Sequence, residues 1–151
     1  MRISAKADYA VRAAIELARK EDGPTKGTAI SNAQSIPLKF LENILIDLRH
    51  AGLVRSQRGA DGGYWLARPA AEVSVADVIR AVEGPLASVR GEGPEQIDYP
   101  EGAEALQRFW IAIRASLRGV AETVTLADLA AAKLPPKVEK LAADPVNWET
   151  R

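Results

Sequence analysis

Apolar and polar positions alternate along this chain with the spacing of helices, broken once by a short two-strand signal. Ser4 can accept an orphan backbone N–H at a helix start, and the pattern predicts a helix over Ala5–Arg19. Asp8, Arg12, Glu16 and Arg19 form one charged stripe. Val11, Ala14, Ile15 and Ala18 form an apolar stripe, and Tyr9, Ala13 and Leu17 form another, so this helix is expected to pack on two sides. Glu21-Asp22-Gly23-Pro24 ends it. Thr28 opens a short helix through Ala33, and a turn follows at Gln34–Ile36. Pro37 suits a first helical position, and Pro37–His50 reads as a longer helix. Ile36, Phe40, Leu41, Ile44, Leu45 and Leu48 share its inner face, while Lys39, Glu42, Asn43, Ile46 and Arg49 lie opposite. Gly52 is a good stop.

Leu53–Gln57 and Tyr64–Ala67 then read as strands around Arg58-Gly59-Ala60-Asp61-Gly62-Gly63, a glycine-rich hairpin tip. Ser74 caps a helix over Val75–Glu83, with Asp77 at the capping-box position. Residues 84–102, rich in Gly, Pro and acids, are expected to be a long or partly disordered loop. A long helix follows over Ala103–Thr123. Leu106, Trp110, Ile113, Leu117, Val120 and Val124 have heptad spacing, either a dimer seam or internal core. Thr125 caps a last helix, Leu126–Ala132, Pro135-Pro136 ends it, and a loose tail is expected over 135–151.

The order helix, short helix, turn, longer helix and glycine-tipped hairpin is that of a winged helix-turn-helix. The expected fold is mainly α with a small β-wing and a long C-terminal dimerisation helix. Its division is a DNA-binding unit at 1–83, a linker at 84–102, and a dimerisation unit at 103–134. The major groove admits one helix, which must bury one face and offer polar groups on the other. Lys39 and Arg49 suit phosphate or guanine, Asn43 suits adenine, and Glu42 suits cytosine N4. Arg58 beside Gly59 suits a narrow, electronegative minor groove. Thr28, Pro37, Phe40, Gly62, Gly63 and Tyr64 complete the candidate DNA-binding set. Each part alone has a plainer reading, as a solvated helix face or an ordinary turn; the order and spacing of all of them within about 60 residues carries the argument.

Charge supports it. Lys/Arg and Asp/Glu balance over the whole chain, yet residues 1–68 hold 11 Lys/Arg against 7 Asp/Glu, and the remainder is correspondingly acidic. Only the first half suits a polyanion. There are no cysteines and one histidine, His50, which excludes disulfides, thiolate metal sites and cysteine nucleophiles. No metal site and no cofactor are expected. With no signal peptide and no membrane-length apolar run, a cytoplasmic location is expected. No phosphate loop or nucleophile elbow is present, which leaves a protein–protein module as the main rival to DNA binding.

Particular stretches also resemble a family. Met1–Ala13 resembles the opening of the Rrf-two family of bacterial winged-helix regulators. Ile36–Leu45 followed by Leu48–Val54 is similar to its recognition helix, Arg58–Ala67 to its wing, and Ser74–Pro85 to the helix that follows. The resemblance covers most of residues 1–125. It implies a repressor that binds a palindromic double-stranded operator as a homodimer, with Lys39, Glu42 and Asn43 facing the major groove and Arg58 and Gly59 entering the minor groove. Cluster-binding members carry three cysteines where this chain has residues 86–105, and none is present. Asp8 matches a further acidic ligand of some members but has no thiolates to complete; it reads more simply as an ion pair with Arg12. A switch would need another input. One candidate is a small effector between the 84–102 loop and the long helix, walled by Tyr99, Phe109 and Trp110. Another is a protein partner, as a cluster-free branch of the family uses a metabolic enzyme. A plain solvated connector, or constitutive repression, are the alternatives.

Overall fold

The computed structural model describes residues 2–20 and 22–150. Met1 of the opening stretch, Glu21 of the segment that ends the first helix, and Arg151 of the tail lie outside the described residues.

Helix α1 (Ala5–Arg19) starts at Ser4, whose Oγ accepts from the Ala7 N–H at 3.0 Å. The same hydroxyl donates to Glu83 at 2.5 Å and fixes the helix start to the far end of α4 (Val75–Glu83). Ala13, Ala14 and Leu17 of the two apolar stripes, and Ala10 beside them, are exposed by 2% or less, while Tyr9, Val11 and Ile15 are half-buried. Alanine at these sites lets helices approach on both sides, so α1 is the central helix of the core. The Asp8–Arg12 ion pair forms at 3.2 Å.

Helix α2 (Gly27–Gln34) ends at Ser35 in the left-handed conformation, φ 51°. The Ile36 N–H donates to Ser31 O at 3.0 Å, closing the turn. Helix α3 (Leu38–His50) follows, with Pro37 as its N-cap, one position earlier than expected. Leu41, Ile44, Leu45 and Leu48 are fully buried. Each contributes about 1.5–3 kcal/mol by leaving water. Phe40 does not join them: it is 43% exposed and meets Tyr9 of α1 edge-on at 5.6 Å.

Strands β1 (Val54–Gln57) and β2 (Gly63–Leu66) pair antiparallel, Val54 with Leu66 and Arg55 with Trp65. Thr25 adds an antiparallel bridge to β2, exchanging two 2.8 Å backbone bonds with Tyr64. A 3-10 turn at Ala70–Glu72 leads to α4, whose capping box is complete: Asp77 N–H to Ser74 Oγ and Ser74 N–H to Asp77 Oδ2.

Residues 84–102 form an ordered connector, where a partly disordered one was an open expectation. Pro94 and Ile97 are buried, Gln107 Nε2–H donates to Ile97 O at 2.9 Å, and Arg114 meets Glu95 at 2.5 Å. Helix α5 (Ala105–Ala121) has no buried residue. The chain then returns to the first core. Val75 N–H donates to Val124 O, and Leu126 N–H to Val73 O, both at 2.9 Å. Helix α6 (Leu126–Ala130) stops short of Ala132, and Leu126 is fully buried in the core built by α1, α3 and α4. Val124, 5% exposed, therefore belongs to the chain's own core and leaves the heptad stripe as a seam candidate. The expected boundary between DNA-binding and dimerisation units is likewise crossed by α6.

The tail is not loose. Helix α7 (Pro136–Ala143) starts on a proline pre-set for helix, buries Val138, and is followed by a 3-10 turn at Pro145–Trp148. Asn147 and Trp148 donate to Leu141 O and Ala142 O at 2.9 and 2.6 Å.

Candidate nucleic-acid interface

Burying one face of α3 leaves the other free. Lys39, Glu42, Asn43, Ile46 and Arg49 are all exposed. The expected groove-facing positions Lys39, Glu42 and Asn43 lie in the first two turns, next to the exposed N-cap Pro37. Arg49 sits two turns later on the side toward the wing, where its Nη1–H donates to Ser56 Oγ at 3.3 Å. Phe40 lies on the opposite flank, against Tyr9. Arg12 stands over the same Tyr9 ring at 5.3 Å and donates to Gln34 O, which holds α1 to the end of α2. Gln34 also donates to Glu16 at 3.0 Å; that bond, aided by Lys20, holds the Glu16 carboxyl below its ordinary value despite burial.

The wing needs its glycines for two different reasons. Gly59, at φ +103°, and its neighbours turn the chain back, with Gly62 N–H donating to Gly59 O at 3.1 Å. Gly62 and Gly63 serve close approach: a Cβ at Gly62 would fall 2.1 Å from Gln57 O, and one at Gly63 would fall 2.6 Å from Thr25 O. Both are buried, and Tyr64 packs partly on the core beside Gly27. These three expected contact residues therefore shape the wing from behind, while Arg58 and Gly59 are exposed at its tip.

Sequence reasoning missed Lys26. Its Nζ–H donates to Gly59 O at 2.7 Å and pins the wing tip to the start of α2. The only signal was a basic residue just before the Thr28 turn. Thr28 is exposed in that first turn, whose N-cap has no side-chain hydrogen bond. Those N–H groups are open to an outside acceptor such as phosphate. Lys26 thus ties the exposed wing tip to the start of α2, where Thr28 lies.

The expected effector walls do not assemble. A groove of about 260 Å³ is lined by Ala87, Ser88, Val89, Trp110 and Ile113; Tyr99 and Phe109 are not among its walls. Phe109 instead meets Trp110 edge-on at 5.1 Å and is 51% exposed. Among the described residues no three His, Cys, Asp or Glu side chains converge as metal ligands. With no cysteine in the sequence, the donor set does not fit a thiolate-held cluster. No helix among the described residues is long and apolar enough to cross a membrane.

Residues 3–132 match the Rrf2 family, described as iron-dependent transcriptional regulators. A Mycobacterium tuberculosis protein named as a helix-turn-helix transcriptional regulator is 51% identical over 145 residues, 95% of this chain and 90% of the relative. The solved structure of CymR, the global cysteine regulator of Bacillus subtilis, superposes with a TM-score of 0.74 at 36% identity, covering 88% of this chain and 98% of that one. The structure of T. potens IscR superposes with a TM-score of 0.70 at 32% identity, covering 99% and 97%. Helix-turn-helix, wing and family match agree: the chain belongs to the Rrf2 family and is a DNA-binding transcriptional regulator, not an enzyme, and a member without cysteines.

Proposed function

We propose that the protein is a repressor that recognises a palindromic operator as a homodimer, with Lys39, Glu42 and Asn43 of α3 in the major groove and Arg58 in the adjacent minor groove. The observation that carries this reading is α5. Leu106, Trp110, Ile113, Leu117 and Val120 repeat along it, none is buried, and Leu106 and Val120 are each 37% exposed. A stripe of that size left in water is best explained by a second copy. Two copies related by a two-fold axis present two recognition helices, which calls for an operator of matching symmetry.

Control by a thiolate-bound cluster does not fit this chain. The groove at Trp110 is below the ~300–1,000 Å³ of sites that enclose drug-sized ligands. Its walls Trp110 and Ile113 belong to the same stripe as the proposed dimer seam.

The test is Arg58→Ala, measured by mobility shift on duplexes that the wild type retains from a random pool. Binding is expected to weaken by roughly 10-fold or more while the dimer persists. Unchanged affinity removes the wing from the interface. Affinity that barely responds to salt favours a protein partner over DNA.

A further inference from the structure

Where α3 runs into β1, an open cleft of about 580 Å³ is lined by Arg49, Arg55, Arg68, Ser56 and Trp65, among others. Trp65 is the cross-strand neighbour of Arg55. No acidic residue lines the cleft. Among the described residues none of the three guanidinium groups lies within 4.0 Å of a carboxylate. This is not for want of acids, since the chain holds as many as it has bases. The nearest acid on α3, Asp47, is paired with Lys6 at 2.8 Å on the other flank. Three cations lining one cleft without a counter-charge repel one another unless an anion arrives from outside. Guanidinium forks match the oxygens of a phosphate.

The position of the cleft identifies the anion. Arg49 lies seven residues, about two turns, beyond Glu42, so both belong to one stripe of α3 that ends in the cleft. Arg55 lies three strand residues, about 10 Å, from the wing arginine Arg58. With α3 in a major groove and Arg58 in the neighbouring minor groove, the sugar–phosphate strand dividing those grooves passes through the angle between α3 and the hairpin. The cleft opens at that angle.

We propose that Arg49, Arg55 and Arg68 form a phosphate clamp for the DNA strand that separates the groove read by α3 from the groove entered by the wing. The proposal rests on the docking described above and adds a division of labour to it. Lys39, Glu42, Asn43 and Arg58 choose the sequence, whereas the clamp holds any duplex and sets how steeply binding depends on salt.

The test uses Arg55→Gln and Arg68→Gln, two exposed positions outside α3 and the wing tip. Affinity is measured from about 50 to 300 mM salt for a duplex selected by the wild type and for a scrambled duplex of equal length. Each substitution is expected to reduce the slope of log affinity against log salt by about 0.9 and to weaken both duplexes by the same factor, roughly three- to tenfold. Arg68→Lys is expected to keep the slope. An unchanged slope in both variants overturns the clamp while leaving the recognition reading intact. So does saturable binding of inorganic phosphate to the free protein, lost in both variants, with the slope unchanged; that result assigns the cleft to a small anion. A wild type that retains no duplex overturns the docking and the clamp together, before any substitution is made.

Discussion

Helices α3 and α5 carry apolar stripes of similar regularity but end in opposite surroundings. Leu41, Ile44, Leu45 and Leu48 of α3 are fully buried against the chain's own core. The 17-residue α5 is longer and buries nothing, with Leu106 and Val120 each 37% exposed and Phe109 51% exposed. An apolar stripe states that a face needs cover; it does not state whose atoms supply it. The first region completes itself, because α1, α2, α3, α4 and α6 close on one another around alanine-lined contacts. The second is held on one side by the connector, through Gln107 and Ile97 and through Arg114 and Glu95, and at its end by the Val75–Val124 rung, and none of its apolar residues is fully covered.

That contrast can be broken from either side. Leu45→Ala opens a cavity in a closed core and is expected to cost about 2–5 kcal/mol in urea unfolding. Leu106→Ala on α5 should cost far less in an isolated chain. Trp110→Glu or Leu117→Glu puts a charge on the half-buried stripe. Light scattering is expected to show the dimer dissociation constant raised by at least about 30-fold, with the far-ultraviolet helix signal retained. Dimers that persist would assign the stripe to some other use. Ser74→Ala removes a cap at the joint where Ser74 pairs with Thr125, and should cost about 1 kcal/mol.

The smallest effect is acid-dependent. The Glu16 carboxyl is held below its ordinary value of 4.5 by the Gln34 hydrogen bond first, and by Lys20. A lowered carboxyl stabilises the fold above the unfolded value, and that stability is lost as pH falls through the folded value. Glu16→Gln should therefore lower stability slightly at neutral pH, flatten the loss of stability below pH 4.5, and bring the two chains together in acid. Identical acid profiles for both chains would show that the α1–α2 contact does not depend on this charge.

Most of the architecture is legible in the sequence because local rules decide it. Ser4, Ser74 and Thr125 cap where their hydroxyls reach free N–H groups, and the α1 and α4 boundaries follow. What sequence periodicity misses is set by contacts distant in the chain. Phe40 has the spacing of a core residue, yet Tyr9 holds it at the flank. Val124 continues a heptad, yet its carbonyl is taken by Val75. Gly62, Gly63 and Tyr64 look like parts of a contact loop; Gly63 and Tyr64 instead answer to Thr25, nearly forty residues earlier, and Gly62 to Gln57 across the hairpin. Lys26 and the Arg55–Arg68 pair escape notice because their partners meet only once the hairpin folds back.

Sequencing the duplexes that the purified protein retains from a random pool at near-physiological salt tests the central claim most directly. A palindrome with half-sites about one helical turn apart is the expected result, since it requires both a self-complete recognition unit and a second copy across α5. Retained duplexes with a single unpaired half-site, or no enrichment at all, would contradict it.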